Sequence, residues 1–300
     1  MQRVLLSGPN RAPCVHKEYR DEAARVDKRV MRIAGLIGLI LVGCGGIARV
    51  DGRDPMSPKE LIDPLFEAYA EDPAQSLPIN GPVNLDVDIF RGDVLVRRAE
   101  GLEFPRLITT RSADFGAGRS EDGFLALDDV QIQATMEAGP EGPVLVIRAN
   151  SGHPDADQMR TDLILELPEP SMVRVHTGHG HVEVRGCTGP VDAQTNEGNV
   201  LVRTHRPLQG NVTAISNLGA ALVAVRGESE AMIDVEARGG DARSRVLGAS
   251  LKVLPNTTSS RFQGVMNNGT WRVTVRATEA NASFHAIPNP EFTAFNFKTP

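Results

Sequence analysis

Beyond residue 165 the chain alternates small aliphatic residues with polar ones in short segments that begin at glycine or alanine. Alternation with a period of two is typical of strands that have one buried and one solvated face. We call these first residues the marks. They stand at positions 189, 198, 210, 219, 231 and 240, so intervals of 9 and 12 residues repeat. The segment therefore carries an internal repeat with a period of 21 residues.

The second and fourth positions after most marks hold valine, alanine or isoleucine. We expect these side chains to share one continuous interior, formed between residues 168 and 250 by Val182, Val184, Val191, Val200, Val202, Val212, Val223 and Val235. Leu201 and Asp192 would then point outward. The strand TWRVTVRAT and the tail EFTAFNF, which follow the last regular repeat, are expected to cap the open sheet edge.

Composition agrees with many short strands, because only 4% of residues are aromatic while 29 are glycine and 20 are proline. Short strands and glycine corners stacked coil upon coil form a β-solenoid. The sequence thus predicts an all-β protein with a single-stranded β-helix or solenoid-like domain, with coils of about 21 residues. A twisted β-sandwich is the alternative fold.

Residues 176 to 186, HTGHGHVEVRG, place three histidines within six positions. Gly180 stands nine residues before the mark at 189, and GHVEVRG matches the later copy GNVLVRT. On this register His179 and His181 occupy the positions of Glu197 and Asn199 at a solvated corner. We interpret the stretch as a polar turn, and Arg91-Gly92-Asp93, within RGDVLVR, as another corner of the same kind.

The alternative for this stretch is a zinc or copper site formed by His176, His179 and His181. A closed zinc site needs four ligands, and the sequence has no second histidine cluster or cysteine pair to complete one. We therefore predict no metal and no other cofactor.

The leader determines the predicted compartment. Lys28, Arg29 and Arg32 precede an apolar run of ten residues, 33 to 42, which is typical of a signal-peptide core and too short to cross a bilayer. The run ends in Leu-Val-Gly-Cys, which resembles the lipobox of bacterial lipoproteins. The resemblance implies that Cys44 is acylated and becomes the first residue of the mature chain. Cys187 would then be the only thiol left, with no intrachain disulfide.

We expect four regions along the chain. Residues 1 to 30 are a disordered or mis-assigned extension, and 31 to 44 are the lipoprotein signal peptide and lipobox. Residues 45 to 80 are a proline-rich tether whose segment PKELIDPLFEAYAE forms a short helix. Residues 81 to 300 are the solenoid-like domain.

The stretch from LILELPEP to EGNVLV resembles the bacterial putative-adhesin family, envelope proteins with β-helical repeats. The shared features are a strand, the step Leu167-Pro168, an alternating strand, and successive Gly-[Asp/Asn]-Val-x-Val corners such as residues 198 to 202. His181 replaces the usual Asp or Asn at one corner, which leaves a local role for that corner open. The resemblance implies a β-helical fold and brings no catalytic residues with it.

Charge restricts the partners. The chain has 32 basic and 38 acidic residues, and the part after residue 44 carries 24 minus 34, or −10. An acidic body without a basic stripe argues against nucleic acid, and membrane attachment would come from the acylated Cys44. Acidic residues do occur at the outward positions, but no known catalytic motif accompanies them, so we predict that the protein is not an enzyme.

We expect an exported, non-enzymatic, lipid-anchored envelope protein, on the outer membrane or periplasmic face, that binds or spaces envelope glycan or a surface or regulatory membrane protein. The alternatives are an accessory protein of envelope-stress signalling and a β-solenoid carbohydrate-active enzyme.

Overall fold

The computed structural model of the protein describes residues 68 to 116, 119 to 140, 142 to 293 and 295. Most regular structure in these residues is strand, and the strands form two sheets of ten strands each. The prediction of an all-β fold is confirmed.

Sheet A contains β1 (Ala68–Glu71), β2 (Gln75–Ser76), β4 (Val94–Arg98), β5 (Arg106–Ala113), β8 (Met159–Leu167), β10 (Val182–Arg185), β12 (Val200–Arg203), β14 (Ala221–Val225), β16 (Ala242–Val246) and β20 (Ala282–Ala286). Sheet B contains β3 (Val83–Arg91), β6 (Val130–Gly139), β7 (Gly142–Ser151), β9 (Pro170–His179), β11 (Val191–Glu197), β13 (Val212–Leu218), β15 (Ala231–Ala237), β17 (Leu251–Val253), β18 (Arg261–Met266) and β19 (Trp271–Ala277). A short helix α1 (Ser120–Ala126) and two 3₁₀ turns (Leu127–Asp129 and Ala156–Gln158) complete the described elements.

From β9 to β14 the chain alternates between the two sheets, and each strand pairs in parallel with its repeat copy. In sheet B, Val191 pairs with Val212, 21 positions later. In sheet A, Val182 pairs with Val200, 18 positions later. The predicted register of these copies is confirmed, because every inward residue lies beside an inward residue of the next copy.

The strand order departs from a simple stack of coils. β19 lies between β13 and β15 in sheet B, and β20 lies between β14 and β16 in sheet A. β5 and β18 pair antiparallel with β8 and β15. One continuous β-solenoid is therefore not what these strands show, and the twisted β-sandwich alternative fits the two sheets.

The expectation that TWRVTVRAT caps the open edge is wrong. This segment is β19, and its residues Val273 and Val275 pair with Val212 and Ala214 inside sheet B. Both valines are fully buried. They fit this place because they present the same small inward side chains as the repeats do, so alternation alone does not distinguish an inserted strand from a capping one.

The predicted interior is confirmed. The eight valines expected to face inward are each at most 3% exposed and belong to one hydrophobic cluster that continues through both sheets. Most of the burial that stabilises the fold therefore comes from small aliphatic side chains in columns, at about 25 cal/mol per Å² of apolar surface.

Leu201 points out of sheet A as predicted, but it is only 8% exposed. Phe295 of the C-terminal segment packs against Leu201, Leu222 and Ala224 on this outer face. The tail EFTAFNF was expected at the sheet edge, and that expectation is wrong for Phe295. The reason is that neighbouring strands place Leu201 beside Leu222, which leaves an apolar patch whose burial is favourable.

The folded region extends upstream of residue 81, because β1 and β2 both pair with β5. The last four residues of PKELIDPLFEAYAE, expected to be helical, form β1 instead. Their pairing with β5 satisfies the backbone groups that a helix would otherwise satisfy. The rest of the tether, the signal peptide and Cys44 lie outside the described residues.

The inward and outward positions of β13 give a matched test of the register. Val212→Asp buries an unpaired charge and should lower the free energy of unfolding by more than about 3 kcal/mol. Ile215→Asp, three positions along, points outward beside Arg276 and should cost less than about 1 kcal/mol. Chemical denaturation measures both values, and equal costs at the two positions would contradict the register.

Candidate functional site

The corners where the chain passes from sheet B to sheet A form one column of glycines. Gly92, Gly180, Gly198 and Gly219 have φ angles of +136°, +136°, +129° and +157°. A Cβ atom on Gly198 would lie 2.2 Å from the carbonyl oxygen of Gly180, and one on Gly180 would lie 2.1 Å from that of Gly92. The corners therefore require glycine both for its backbone angle and for the close approach of neighbouring corners.

The residue after each of the first three glycines fixes the corner of the next copy. The backbone N–H of His181 donates to Oδ1 of Asp93 over 2.6 Å. The N–H of Asn199 donates to Nδ1 of His181 over 2.8 Å, and the N–H of Ala220 donates to Oδ1 of Asn199 over 2.9 Å. We call Asp93, His181 and Asn199 the corner ladder.

His181 takes part in this ladder because its Nδ1 atom is as many bonds from the backbone as the Oδ1 atom of Asp or Asn. Accepting the hydrogen bond requires a free lone pair on Nδ1, so this contact uses the tautomer that carries its N–H on Nε2. The role left open for His181 is thus structural: it is the acceptor that orients the corner at Asn199. Asp93 of the Arg91-Gly92-Asp93 tripeptide does the same for His181, as the repeat register predicts.

The three histidines have separate partners. Nδ1 of His176 lies 3.0 Å from Oδ1 of Asp88, and Nδ1 of His179 lies 2.8 Å from Oε2 of Glu197. His179 pairs with Glu197 in the register predicted from the sequence. In the part of the chain that the structure describes, no three His, Cys, Asp or Glu side chains form a group that could hold a metal ion.

Charged side chains lie on the outer surface of most strands of sheet B, while β13 presents the uncharged Thr213 and Ile215 there. Arg174 lies 3.7 Å from Asp86 and 3.9 Å from Asp192, one on each neighbouring strand. Towards the other end of the sheet, Arg261 lies 3.2 Å from Asp234. We call this outer surface, from β7 through β3, β9, β11, β13, β19 and β15 to β18, the charged face.

A second charged cluster lies on sheet A. Glu166 is 4% exposed in its side chain and lies between Arg97 and Arg106, whose Nε and Nη atoms donate to its carboxylate. Burial tends to raise the pKa of Glu166, but the hydrogen bonds and charges of the two arginines outweigh it and lower that pKa. The carboxylate therefore stays ionised. Sequence reasoning missed this cluster because Glu166 lies 60 or more positions from both arginines and the three residues carry no motif.

Cys187 does not offer a reactive thiol. It is 1% exposed, and burial raises the pKa of its thiol from 9.0 to about 12, against a smaller opposing hydrogen bond from the backbone of Gly189. The thiolate is the nucleophilic form, so the buried thiol is inert at neutral pH.

Comparison with known proteins gives a fold and no family. No protein family and no curated protein matches the chain. The crystal structure of a putative cell adhesion protein from Clostridium sporogenes aligns with a TM-score of 0.50 and 12% identity, over 73% of this chain and all of that one. A putative adhesin from Bacteroides fragilis aligns at a TM-score of 0.31 and 10% identity, over 73% of this chain and 97% of that one. The first similarity establishes a shared fold.

A third solved structure, that of a putative lipid binding protein from Parabacteroides distasonis, aligns at a TM-score of 0.26 and 11% identity, over 74% of this chain and 96% of that one. Among the described residues, no helix has the length and apolar character that a membrane crossing requires.

The corner ladder can be tested at His181. His181→Ala removes the acceptor of the Asn199 N–H and should lower the free energy of unfolding by about 0.5–1.5 kcal/mol. His181→Asn restores an acceptor at the same distance from the backbone and should retain the stability of the parent within about 0.5 kcal/mol. Chemical denaturation at neutral pH measures both.

His176→Ala is the matched control, since it removes only an exposed contact with Asp88 and should cost less than about 0.5 kcal/mol. If His181→Asn were as unstable as His181→Ala, the structural role assigned to His181 would be wrong.

Proposed function

We propose that this protein is a non-enzymatic, lipid-anchored module of the cell envelope that binds or spaces other envelope components. The charged face is the observation that supports this most directly. It presents acids and bases on neighbouring strands on both sides of the uncharged β13, and strands in a sheet lie about 4.8 Å apart. An extended, rigid and polar surface of this kind suits a polymeric or protein partner better than a small apolar substrate.

The energetics of the charged face support a role other than stability. Arg174, Asp88, His176 and Arg276 have side chains 58%, 53%, 47% and 52% exposed. Exposed ion pairs contribute about 0–1 kcal/mol each, so the fold does not need them. Complementary charges do steer association and select partners. The arrangement of charges on this face can therefore serve binding without a cost in stability.

We also propose that the segment from β9 to β14 is a short β-solenoid within the two-sheet fold. Its support is the parallel pairing at steps of 18 and 21 residues and the glycine column at its corners. Such a stack resists bending and would hold the charged face at a fixed spacing.

The proposed anchor is an acylated Cys44, which lies outside the described residues. Cys44→Ala should leave the protein unacylated and move it from the membrane fraction to the soluble fraction, because attachment relies on the buried acyl chains. Mass spectrometry of the N-terminal peptide and fractionation of cells give the result. Cys187→Ala is the control and should fractionate like the parent. A mature N-terminus upstream of residue 31 without acylation would contradict the anchor.

The partner can be captured with a photo-crosslinking residue placed on the charged face. Gln194 is outward on β11 between His176 and Ile215, and Ser283 is the matched control, outward on β20 of sheet A. In native cells we expect the residue at 194, but not at 283, to capture envelope glycan or one surface protein. Capture of a sensor or anti-sigma protein would favour the signalling alternative, and equal products at both positions would contradict the charged face.

A further inference from the structure

A cleft of about 390 Å³ lies at the end of the strands opposite the glycine corners, where the chain returns from sheet A to sheet B. Its walls come from the start of β9, the loop of residues 186 to 190 between β10 and β11, and the loop between β12 and β13. Cavities that hold small ligands have volumes of about 300–1,000 Å³. The cleft is thus large enough for a small molecule. None of its lining residues is one of the paired acids and bases of the charged face.

Arg98, the last residue of β4, lines this cleft with a half-buried side chain. Its Nε atom is buried and has no hydrogen-bond partner, and its guanidinium forms no ion pair with any described residue. The guanidinium is always charged and offers five donors. A buried donor without a partner is costly, and because Nε is closed off from solvent, an occupant of the cleft would contact the guanidinium through its Nη atoms.

Gly186 gives Arg98 its place in the cleft. A Cβ atom on Gly186 would lie 2.8 Å from Cβ of Arg98, and Gly186 has a φ angle of +76°. Any other residue would therefore push against the stem of Arg98 and strain the turn. Glycine at this position therefore leaves room for the stem of Arg98 beside the cleft.

Other donors line the same cleft. Arg206 has a side chain 48% exposed, and its ion pair is a 4.0 Å contact with Glu100, which is 77% exposed and holds it weakly. Ser171, Thr188 and Gln209, whose side chains carry two hydroxyls and an amide, are further lining residues. Hydroxyls and amides both donate and accept, as the hydroxyls of a sugar do.

We propose that this cleft binds an oxyanion carried by a sugar, with Arg98 as the anchoring residue and Arg206 as a second cation. A guanidinium matches the planar carboxylate and the phosphate through two parallel hydrogen bonds, which gives both strength and orientation. The lining also contains one acid, the exposed Glu169. With Arg98 and Arg206 the charged lining residues therefore sum to one positive charge. The site goes beyond the proposed function, and its test does not depend on the anchor or on the charged face.

Titration calorimetry of the purified protein with glucuronate, glucose 6-phosphate and glucose tests the site. We expect both acidic sugars to bind, with glucose at least about tenfold weaker, because a charged hydrogen-bonded pair is worth about one tenfold step or more. The tighter of the two acidic sugars identifies carboxylate or phosphate as the anion. Equal binding of glucose, or no binding of either acidic sugar, would overturn the proposal.

Arg98→Gln should weaken the acidic sugars about tenfold or more and leave glucose unchanged. Arg245→Gln is the matched control, because Arg245 is exposed on β16, forms no ion pair with a described residue and lies outside the cleft. It removes the same charge and should leave affinity unchanged. Equal loss in the two variants would reduce the effect to general electrostatics and would reject the site.

Without ligand, Arg98→Gln should be at least as resistant to heat as the parent, since it removes an unpartnered buried donor. If Arg98 had a purely structural role, the substitution would instead destabilise the fold and lower the melting temperature. Should that variant fail to fold, Arg206→Gln replaces it, with an expected loss of affinity for the acidic sugars and none for glucose. Unchanged affinity in Arg206→Gln would then overturn the proposal.

Discussion

Backbone contact between neighbouring corners is the constraint on which the rest of this fold depends. At Gly180, Gly198 and Gly219 a Cβ atom would lie about 2 Å from the carbonyl oxygen of the neighbouring corner, and at Gly92 it would lie as close to that of Thr161 in β8. That proximity sets the spacing of the copies and brings each strand into parallel register with the next. The small inward residues follow from the same spacing, because an interior between closely stacked copies has room for valine and alanine and little room for aromatic rings.

The local pattern predicted what local physics determines. Alternation assigned the inward valines correctly, since the side-chain period of a strand is a property of the strand itself. The corner glycines were also predictable, because a turn with positive φ favours glycine locally, and the repeat then places Asp, His or Asn after the first three of them. Even the exceptional His181 fits once its Nδ1 atom is compared with Oδ1 of the residues it replaces.

Neighbours in space could not be predicted in the same way. β13 could accept either β15 or β19 beside it, because Ile233 and Val235 offer the same kind of inward face as Val273 and Val275. Only the whole arrangement, in which β18 pairs antiparallel with β15, decides between them. The burial of Leu201 under Phe295 is likewise a contact between distant positions. The same limit applies to the cleft, whose wall joins Arg98 to loops that begin 88 or more positions later.

The pairing of charged side chains determines which parts of the surface can attract an anion. The chain is acidic overall, at −6, and most of its described arginines are engaged: Arg97 and Arg106 with Glu166, and Arg185 and Arg203 with Glu183. Long-range attraction of an anion to such a protein is weak, because the net field repels it and salt screens it within about 8–10 Å. Selectivity for an anion must therefore come from a local group that the chain leaves unneutralised. Arg98 meets that condition where a wall also shields it from water, and a charge in such a place interacts more strongly than one on an open face.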